Sequence, residues 1–263
     1  MPVIVPTPEL LAQFNRDGFL VLPDILSPTE VATLRAGLER AFATPSAEAT
    51  LYTMPDMWRP KMFEYGEEFE ALIDHPGIAD FAEAVLGEDY HMIAETGLRT
   101  TPGRTFTGWH LDDALRFPIP DGVKLDPRIS MPTYLINMNY YLCDVDEELG
   151  PTQFIPGSHR AGRGPRPEDN DANGNSTFEG RSMVSAPGKA GTLVLWNDQT
   201  WHRGGPNLSK GRIRWVVQTP FARRWVSLRY WPHVNYAMPE AVIARANPRR
   251  KRLLGFHPPG AYG

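Results

Sequence analysis

The chain has 263 residues, a formal net charge of −4 and one cysteine, Cys143. Its length fits one large domain, because all-β domains of this size are often undivided. The slight negative charge disfavours nucleic acid and anionic lipid as main partners, and a single cysteine excludes an intramolecular disulfide and a multi-cysteine zinc site. No signal-peptide pattern and no apolar run of membrane-spanning length is present. The sequence therefore predicts a cytoplasmic protein without a membrane or nucleic-acid partner.

The first third of the chain shows helical patterns. Residues 8–16 form a short amphipathic segment. Ser27 followed by Pro28 and Glu30 is a strong helix start, with Ser27 as N-cap and Glu30 at the capping-box position. A further helix is predicted over residues 77–86, where apolar residues recur at helical spacing. This part of the chain is therefore expected to be mostly helical.

After Gly87 the chain changes to short apolar segments separated by turns, which is typical of strands. Strands are predicted over residues 90–101, 105–111, 134–142, 152–155, 191–196 and 213–219. Helices followed by strands indicate an antiparallel sandwich or barrel with helices packed on its outside. A closing helix is expected over residues 239–246, and the basic run at 249–252 is interpreted as a solvated tail rather than a binding patch.

Two long inserts interrupt the predicted strands. Residues 113–133 are rich in proline, and residues 161–181 are polar and rich in glycine, as in a mobile loop. Long loops in compact domains are usually functional or disordered, so both inserts are predicted to form a lid over a substrate. Candidates for the substrate wall are mostly aromatic: Met54, Trp58, Tyr65, Arg99, Phe117, Tyr134 and Trp231.

The one His-x-Asp triplet of the chain is His110-Leu111-Asp112. If this segment is a strand, His110 and Asp112 lie on the same face, while Asp113 lies on the other. An imidazole beside a carboxylate is two thirds of the 2-His-1-carboxylate triad that binds non-haem Fe(II) and leaves coordination positions open. A surface histidine that happens to lie near an aspartate is the commoner situation, so the triplet alone leaves both interpretations open.

The third ligand must come from another histidine. His202 follows an apolar strand and a short connection and precedes a second strand, which is the rigid setting that a metal ligand needs. The other histidines have different settings: His75 at a helix entry, His91 in a strand that could face either way, His159 at the end of a Pro-Gly-Ser-His turn, and His233 and His257 in proline-rich segments. His159 is kept as the alternative third ligand. The pattern favours His202.

Two arginines, Arg212 and Arg214, lie two residues apart where the last predicted strand begins, and they are expected to share one face of that strand. A guanidinium among apolar residues is costly unless it is paired, and an anionic carboxylate held by two hydrogen bonds would remove that cost. For Arg212, next to Gly211, an ion pair or an exposed strand start is the favoured interpretation. For Arg214 an anion site is favoured.

Several motifs then occur together in a characteristic order. They are Asp17-Gly18-Phe19-Leu20-Val21-Leu22-Pro23, His110-Leu111-Asp112, Gly150-Pro151, Pro156-Gly157-Ser158-His159-Arg160, the segment from His202 to Asn207, and Arg212-Ile213-Arg214-Trp215. Their order and spacing resemble the phytanoyl-CoA dioxygenase family of Fe(II)/2-oxoglutarate-dependent oxygenases. The resemblance covers nearly the whole chain.

The resemblance implies a mainly β fold with flanking helices, built on a double-stranded β-helix of the jelly-roll or cupin-like type. It implies one domain over residues 1–263, with a mostly helical part at 1–88, a barrel core at 89–220 and a carboxyl-terminal extension at 221–263. It also implies iron ligation by His110, Asp112 and His202.

The resemblance further implies an arginine after the second histidine that binds the far carboxylate of 2-oxoglutarate. Arg214 is favoured for this role over Arg212, and Asn139 matches a family position that lines the same site. Many relatives carry serine or threonine two residues after the second histidine, where this chain has Gly204, so one expected hydroxyl contact is missing.

The implied reaction uses O2 and decarboxylates 2-oxoglutarate to succinate and CO2 while a small organic molecule is oxidised. Because Asp112 is present, hydroxylation, desaturation or ring formation is favoured over halogenation, and a natural-product intermediate is a candidate substrate. Two alternatives stay open at this point. One is a cupin-like metal-binding protein or isomerase that does not use 2-oxoglutarate, and the other is a non-enzymatic ligand-binding relative, which would be expected to have a broken triad.

Overall fold

The structure is a computed structural model that describes residues 4–45, 56–105, 108–112, 119–120, 122–126, 128–230 and 236–259. The helices within these residues are α1 (Pro8–Asp17), α2 (Pro28–Ala43), α3 (Glu67–Ile73), α4 (Pro76–Leu86), α5 (Glu240–Arg245) and α6 (Pro248–Leu253). The predicted capping box of Ser27 and Glu30 begins α2 and is confirmed. Across the described ranges, no helix combines the length and the apolar character needed to cross a membrane.

Two antiparallel sheets form the β part of the described chain. The larger sheet contains β1 (Phe19–Leu22), β2 (Trp58–Pro60), β3 (His91–Met92), β4 (Thr96–Thr100), β5 (Leu135–Tyr141), β8 (Leu193–Asn197), β10 (Arg214–Gln218) and β11 (Phe221–Ala222). The smaller sheet contains β6 (Thr152–Phe154), β7 (Val184–Ala186) and β9 (His202–Gly204). In the larger sheet the order is β1-β8-β5-β10-β4-β2, with β11 beside β5 and β3 beside β11. The predicted mainly β fold with flanking helices is confirmed.

The two faces of the larger sheet have different neighbours. Val217 of β10 belongs to an apolar cluster with Leu38 of α2 and other helical residues. Val216 of β10 belongs instead to a cluster with Trp196 of β8 and Phe154 of β6. Since successive residues of a strand point to opposite faces, the helices cover one face, here called the outer face. The smaller sheet covers the other, called the inner face.

The strand predicted over residues 105–111 is wrong. Among the described residues of this segment, His110 alone has a ladder partner, and it forms an isolated antiparallel bridge with His202. The apolar and aromatic character of the segment suggested a longer strand. Pairing does not continue beyond His110 toward Asp112, because the Asp112 N–H donates to the carbonyl of Asp198 instead.

The interpretation of residues 249–252 as a solvated tail is also wrong. These residues form most of α6, capped by the Asn247 side chain. The Arg250 guanidinium lies 2.7 Å from Asp74 Oδ1, and Arg252 Nη1 donates to the carbonyl of Tyr90 at 2.8 Å. The acids that bind this helix come from α3, α4 and the short connection between them, far away in sequence. The expected helix over residues 239–246 corresponds to α5, whereas α3 was not predicted.

Candidate metal centre

The isolated β-bridge between His110 and His202 brings two candidate metal ligands together. His110 N–H donates to the carbonyl of His202 at 3.1 Å, and His202 N–H donates back to the carbonyl of His110 at 2.9 Å. Two residues that exchange both hydrogen bonds stand directly opposite each other, with their side chains on the same side. The ring centroids of the two histidines are 4.3 Å apart. One backbone pairing therefore fixes two imidazoles side by side.

Asp112 completes the cluster. Its Oδ1 lies 3.4 Å from His110 Nε2, and its Oδ2 lies 3.3 Å from His202 Nε2. One ligand atom from each of the three residues can be chosen so that all lie within 4.8 Å of one another. Burial alone would raise the pKa of the Asp112 carboxyl, but the adjacent histidines outweigh burial and lower it. The carboxylate is thus ionised and ready to bind a cation.

The hydrogen bonds of the two imidazoles suit metal binding. His110 Nδ1 lies 2.8 Å from the carbonyl of Gly108, and His202 Nδ1 lies 2.9 Å from the carbonyl of Thr200. A carbonyl only accepts, so Nδ1 of each ring carries a proton, and Nε2, which faces Asp112, is the nitrogen left to bind a metal. Metal-binding histidines commonly have this arrangement. The residues present therefore fit a divalent metal with nitrogen and oxygen ligands.

Two inner-face residues orient the carboxylate. Asn137 Nδ2 donates to Asp112 Oδ2 at 2.6 Å, and Trp196 Nε1 donates to the same oxygen at 3.3 Å. Sequence reasoning missed both. A signal was present, because Asn137 and Asn139 lie two apart in an apolar strand and must share a face. The prediction named Asn139 alone.

A cavity of about 260 Å³ opens beside Asp112. Its wall includes Asn137 and Gln218 from the inner face, Lys61, and Arg229 and Tyr230 from the segment after β11.

Among the predicted wall residues, Trp58 lines this cavity, whereas Tyr65 lines a different groove. Arg99 instead lies over Trp215, and Tyr134 packs on Trp225. Three of the predicted wall residues lie outside the described residues: Met54, Phe117 and Trp231.

Arg214 is buried on the inner face of β10 and is only 5% exposed. Its Nη1 donates to the carbonyl of Gly205 at 3.1 Å, and its Nη2 donates to Thr100 Oγ1 at 3.2 Å. Within the described chain no acidic side chain forms an ion pair with it. Burial lowers the pKa of the guanidinium. A buried cation held only by neutral groups is the setting that an anionic ligand would stabilise.

The glycines of the family motifs explain how the Gly205 carbonyl reaches Arg214. Gly205 N–H donates to the carbonyl of Pro151 at 2.9 Å, so two loop backbones lie against each other. A Cβ at Gly150 would overlap the carbonyls of Gly205 and Pro206, and Gly150 also has a φ of +76°. Only glycine combines that φ with this close approach.

Arg212 lies outside β10, in the turn before it, and its side chain is 43% exposed. The expected placement of both arginines on one strand face is therefore wrong. Its guanidinium donates to both Asp146 carboxylate oxygens, at 2.8 and 2.9 Å, and to Glu148 at 2.8 Å. This contact lowers the pKa of Asp146 to about 2. The structure does not bring Arg212 to the cluster of His110, Asp112 and His202.

Asn139 does lie on the inner face. Its Nδ2 is 3.4 Å from Thr152 Oγ1, and its buried Oδ1 has no hydrogen-bond partner among the described residues. In the sheet it stands opposite Gln218, four residues along β10 from Arg214. Its role toward a co-substrate stays a prediction.

His159, the alternative ligand, is buried away from the cluster. Its Nε2 contacts the carbonyl of Asn15 at 3.0 Å, and burial lowers its pKa to about 4. The turn that carries it has another role, because Ser158 Oγ accepts a hydrogen bond from Trp201 N–H at 2.7 Å. The Pro-Gly-Ser-His motif thus positions the residue directly before His202.

The insert at residues 161–181 packs against the residue that precedes His202. Phe178 packs on Trp201 with ring centroids 5.6 Å apart, and Trp109 belongs to the same cluster. Because Trp109 and Trp201 directly precede the two histidines, they lie on the side away from Asp112. The insert, predicted to be mobile, also holds an ion pair between Arg163 and Asp169 at 2.7 Å. Its predicted lid function stays a prediction.

Comparisons with known proteins agree with the motifs. Residues 14–215 match the family model for phytanoyl-CoA dioxygenase. The chain is 28% identical to ectoine dioxygenase of Stutzerimonas stutzeri, over 76% of this chain and 72% of that protein. The crystal structure of HygX from Streptomyces hygroscopicus, with nickel and 2-oxoglutarate bound, has a TM-score of 0.64 and 18% identity and covers 85% of this chain and 89% of that one.

A second solved structure is that of SnoN, a non-heme alpha ketoglutarate dependent epimerase from nogalamycin biosynthesis. It has a TM-score of 0.61 and 25% identity and covers 82% of each chain. The family match spans most of the chain and includes all three residues of the cluster as well as Arg214. The chain therefore belongs to the phytanoyl-CoA dioxygenase family of iron- and 2-oxoglutarate-dependent oxygenases.

Proposed function

We propose that this protein oxidises, and most simply hydroxylates, a small organic molecule while 2-oxoglutarate and O2 are converted to succinate and CO2. The proposal rests on one observation: a cluster of three metal-binding residues and a buried arginine occur together in the interior of the protein. His110, Asp112 and His202 place three ligand atoms within 4.8 Å of one another. Arg214 is buried in the same interior with no acidic partner among the described residues.

We further propose that the two facing sheets form a double-stranded β-helix within one domain over residues 1–263. The barrel core would comprise residues 89–220, with residues 1–88 packed on it and 221–263 as a carboxyl-terminal extension. Pairing of β1 with β8 and of β11 with β5 supports one domain, because both outlying parts add strands to the larger sheet.

Fe(II) would be held by Nε2 of His110, Nε2 of His202 and the carboxylate of Asp112, which leaves coordination positions open. When bound, the metal with 2-oxoglutarate and O2 supplies the oxidant that attacks the substrate. The protein's contribution is geometry. The carbonyls of Gly108 and Thr200 keep both rings in the ligating tautomer, and Asn137 and Trp196 fix the carboxylate.

Arg214 would bind the far carboxylate of 2-oxoglutarate through a charge-assisted pair of hydrogen bonds. Its two bonds to Gly205 and Thr100, at 3.1 and 3.2 Å, hold the guanidinium in place and engage two of its five donors. The Thr100 hydroxyl beside it would supply the contact that Gly204 cannot make. Asn139 would line the same site from β5, across from Gln218.

The cupin-like alternative without 2-oxoglutarate gives no reason for a buried arginine opposite neutral groups. A non-enzymatic ligand-binding protein would not need all three ligand positions, and all three are filled. The carboxylate of Asp112 favours oxygen insertion or another oxidative outcome over halogenation.

The test measures how fast the Fe(II)-loaded protein forms succinate from 2-oxoglutarate in the presence of air and without any added substrate. We expect slow succinate formation that requires both Fe(II) and O2 and that falls sharply in Arg214→Ala. Arg212→Ala is the matched control, because Arg212 binds Asp146 and Glu148 at the surface. Tight metal binding without any turnover of 2-oxoglutarate would favour the cupin-like alternative.

A further inference from the structure

The Asp17-Gly18 motif supplies no side chain to the cluster of His110, Asp112 and His202. It lies where α1 ends and β1 begins, and β1 pairs with β8, whose end leads to His202. Gly18 ends α1 with a φ of +82°, in the left-handed region that favours glycine. Since β1 and β8 run side by side, the motif lies next to the connection between β8 and His202.

One backbone carbonyl of this motif holds a turn at both of its ends. The carbonyl of Gly18 accepts a hydrogen bond from Asn197 N–H at 2.9 Å and another from the Thr200 hydroxyl at 2.9 Å. Thr200 N–H donates to the carbonyl of Asn197 at 2.9 Å, which closes a β-turn over residues 197–200. Thr200 is fully buried, so water does not replace its bond to Gly18. The position of the turn is therefore fixed by Gly18.

The same turn presents two carbonyls to the proposed metal ligands. The carbonyl of Asp198 accepts a hydrogen bond from Asp112 N–H at 3.1 Å, and the carbonyl of Thr200 lies 2.9 Å from His202 Nδ1. The first bond fixes the chain at the carboxylate ligand, and the second fixes the ring of the histidine. Partners of this kind orient the side chains that bind a metal. Two of the three proposed ligands thus depend on one turn.

The close contact with the turn explains why residue 18 has no side chain. A Cβ at Gly18 would lie 2.4 Å from Thr200 Oγ1 and 2.5 Å from His159 Nδ1. Both distances are too short for a real carbon atom, and the positive φ adds strain for any other residue. Gly18 therefore satisfies both the backbone conformation and the approach of the Thr200 hydroxyl.

Asp17 holds the motif in place from the other side. Its carbonyl accepts a hydrogen bond from Gly157 N–H at 2.9 Å, and its carboxylate binds Arg16 at 2.7 Å and Arg181 at 2.5 Å. Burial alone would raise the pKa of the Asp17 carboxyl, but the two arginines outweigh burial and lower it. The Gly18 carbonyl is thus carried by a charged and well-anchored neighbour.

We propose that the Asp17-Gly18 motif is a positioning element of the metal centre. Its Gly18 carbonyl holds the turn over residues 197–200, and the turn orients Asp112 and His202. This inference rests on the proposed function, since it assumes that both residues bind the metal. It gives Thr200 a specific role, because the hydroxyl of Thr200 ties the turn to the motif.

The experiment compares Thr200→Val and Thr200→Ser with the wild type. Valine keeps the shape of threonine and lacks the hydroxyl, whereas serine keeps the hydroxyl. Co(II) is titrated into each metal-free protein, because its visible absorption reports both binding and ligand geometry. We expect Thr200→Val to bind Co(II) about tenfold more weakly, the lower end of the usual loss when a partner behind a metal ligand is removed. Its Co(II) spectrum should change, and Thr200→Ser should stay near the wild type in both respects.

Thr177→Val is the matched control. The Thr177 hydroxyl donates to the carbonyl of Asp169 at 2.9 Å, and Thr177 N–H donates to the same carbonyl. The carbonyl of Asp169 therefore keeps one partner after the substitution, as the carbonyl of Gly18 does in Thr200→Val. Denaturant unfolding of the metal-free proteins measures the stability lost in each variant. We expect Thr177→Val to lose stability to a similar extent while its Co(II) affinity and spectrum match the wild type.

Thr200→Ala lacks the same hydroxyl, is smaller and should weaken Co(II) binding as Thr200→Val does. An unchanged Co(II) affinity in these two variants, or an equal loss in Thr177→Val, overturns the inference while the metal centre stands. A wild-type protein that binds no Co(II) would show instead that the proposed function had failed, and the inference with it.

Discussion

Alternating residues of the same strands form the inner and outer faces of the larger sheet, and the two faces differ in the polarity of the side chains buried there. On the outer face, Leu38 of α2 packs on Gly97 of β4, and Leu38 has no exposure. On the inner face, Asn137, Asn139 and Arg214 are buried polar groups in the same strands. Buried polar groups cost stability unless they are paired.

The difference shows where stability and function are separated in this fold. The outer face is filled with apolar side chains, which stabilise the fold through burial. The inner face keeps groups whose partners are incomplete within the described chain, such as Asn139 Oδ1 and the Arg214 guanidinium. Changes on the outer face should therefore reduce stability with little effect on ligand affinity, and changes on the inner face should do the reverse.

The largest effect is expected at the metal ligands. His110→Ala, Asp112→Ala or His202→Ala should abolish turnover with the fold retained, because each removes one of three ligands and buries no new charge. Activity assays and circular dichroism would check this. His159→Ala is the control, since His159 is a buried histidine away from the cluster. If it lost iron while His202→Ala kept it, the choice of third ligand would be incorrect.

On the outer face, Leu38→Ala should lower the free energy of unfolding by about 2–5 kcal/mol, the usual range for a buried leucine. Leu38 is fully buried and packs directly on Gly97 of β4. Denaturant unfolding measures the loss, and a 2-oxoglutarate titration of the folded variant should match the wild type. A large change in 2-oxoglutarate affinity would show that the two faces are coupled.

On the inner face, Arg214→Ala should weaken 2-oxoglutarate binding by about 2–5 kcal/mol, the range for truncating one partner of a buried charged pair. This corresponds to roughly thirtyfold to several-thousandfold in affinity. Stability should change much less than in Leu38→Ala, because the guanidinium is an incompletely paired buried cation. Unfolding and co-substrate titrations on the same preparations separate the two effects.

A smaller effect is expected from the residue that orients the carboxylate. Asn137→Ala should lower iron affinity by about 10- to 100-fold, as is typical when a partner of a metal ligand is removed. Asn139→Ala is matched in chemistry and face, yet its side chain contacts Thr152 rather than Asp112. Equilibrium metal titrations should show the larger loss for Asn137→Ala. Equal losses would mean that the bond to Asp112 has no special role.

Local signals predicted much of the fold. The capping box of Ser27 and the short apolar segment that forms β5 are local features, so the sequence shows them directly. The solvated-tail interpretation of α6 failed because Arg250 is held by Asp74, from a distant part of the chain. The bond of Asn137 to Asp112 depends in the same way on how β5 meets a non-strand segment. Contacts of this kind appear only in the folded chain.

The most direct test of the proposed centre is an anaerobic titration of 2-oxoglutarate into the Fe(II)-loaded protein, followed by the weak visible charge-transfer band of the chelate. We expect the band in the wild type, its loss in His202→Ala, and a requirement for at least about thirtyfold more 2-oxoglutarate in Arg214→Ala. Arg212→Ala should resemble the wild type, since its guanidinium binds surface acids. No band in the iron-loaded wild type, or an effect of Arg212 greater than that of Arg214, would contradict the proposed site.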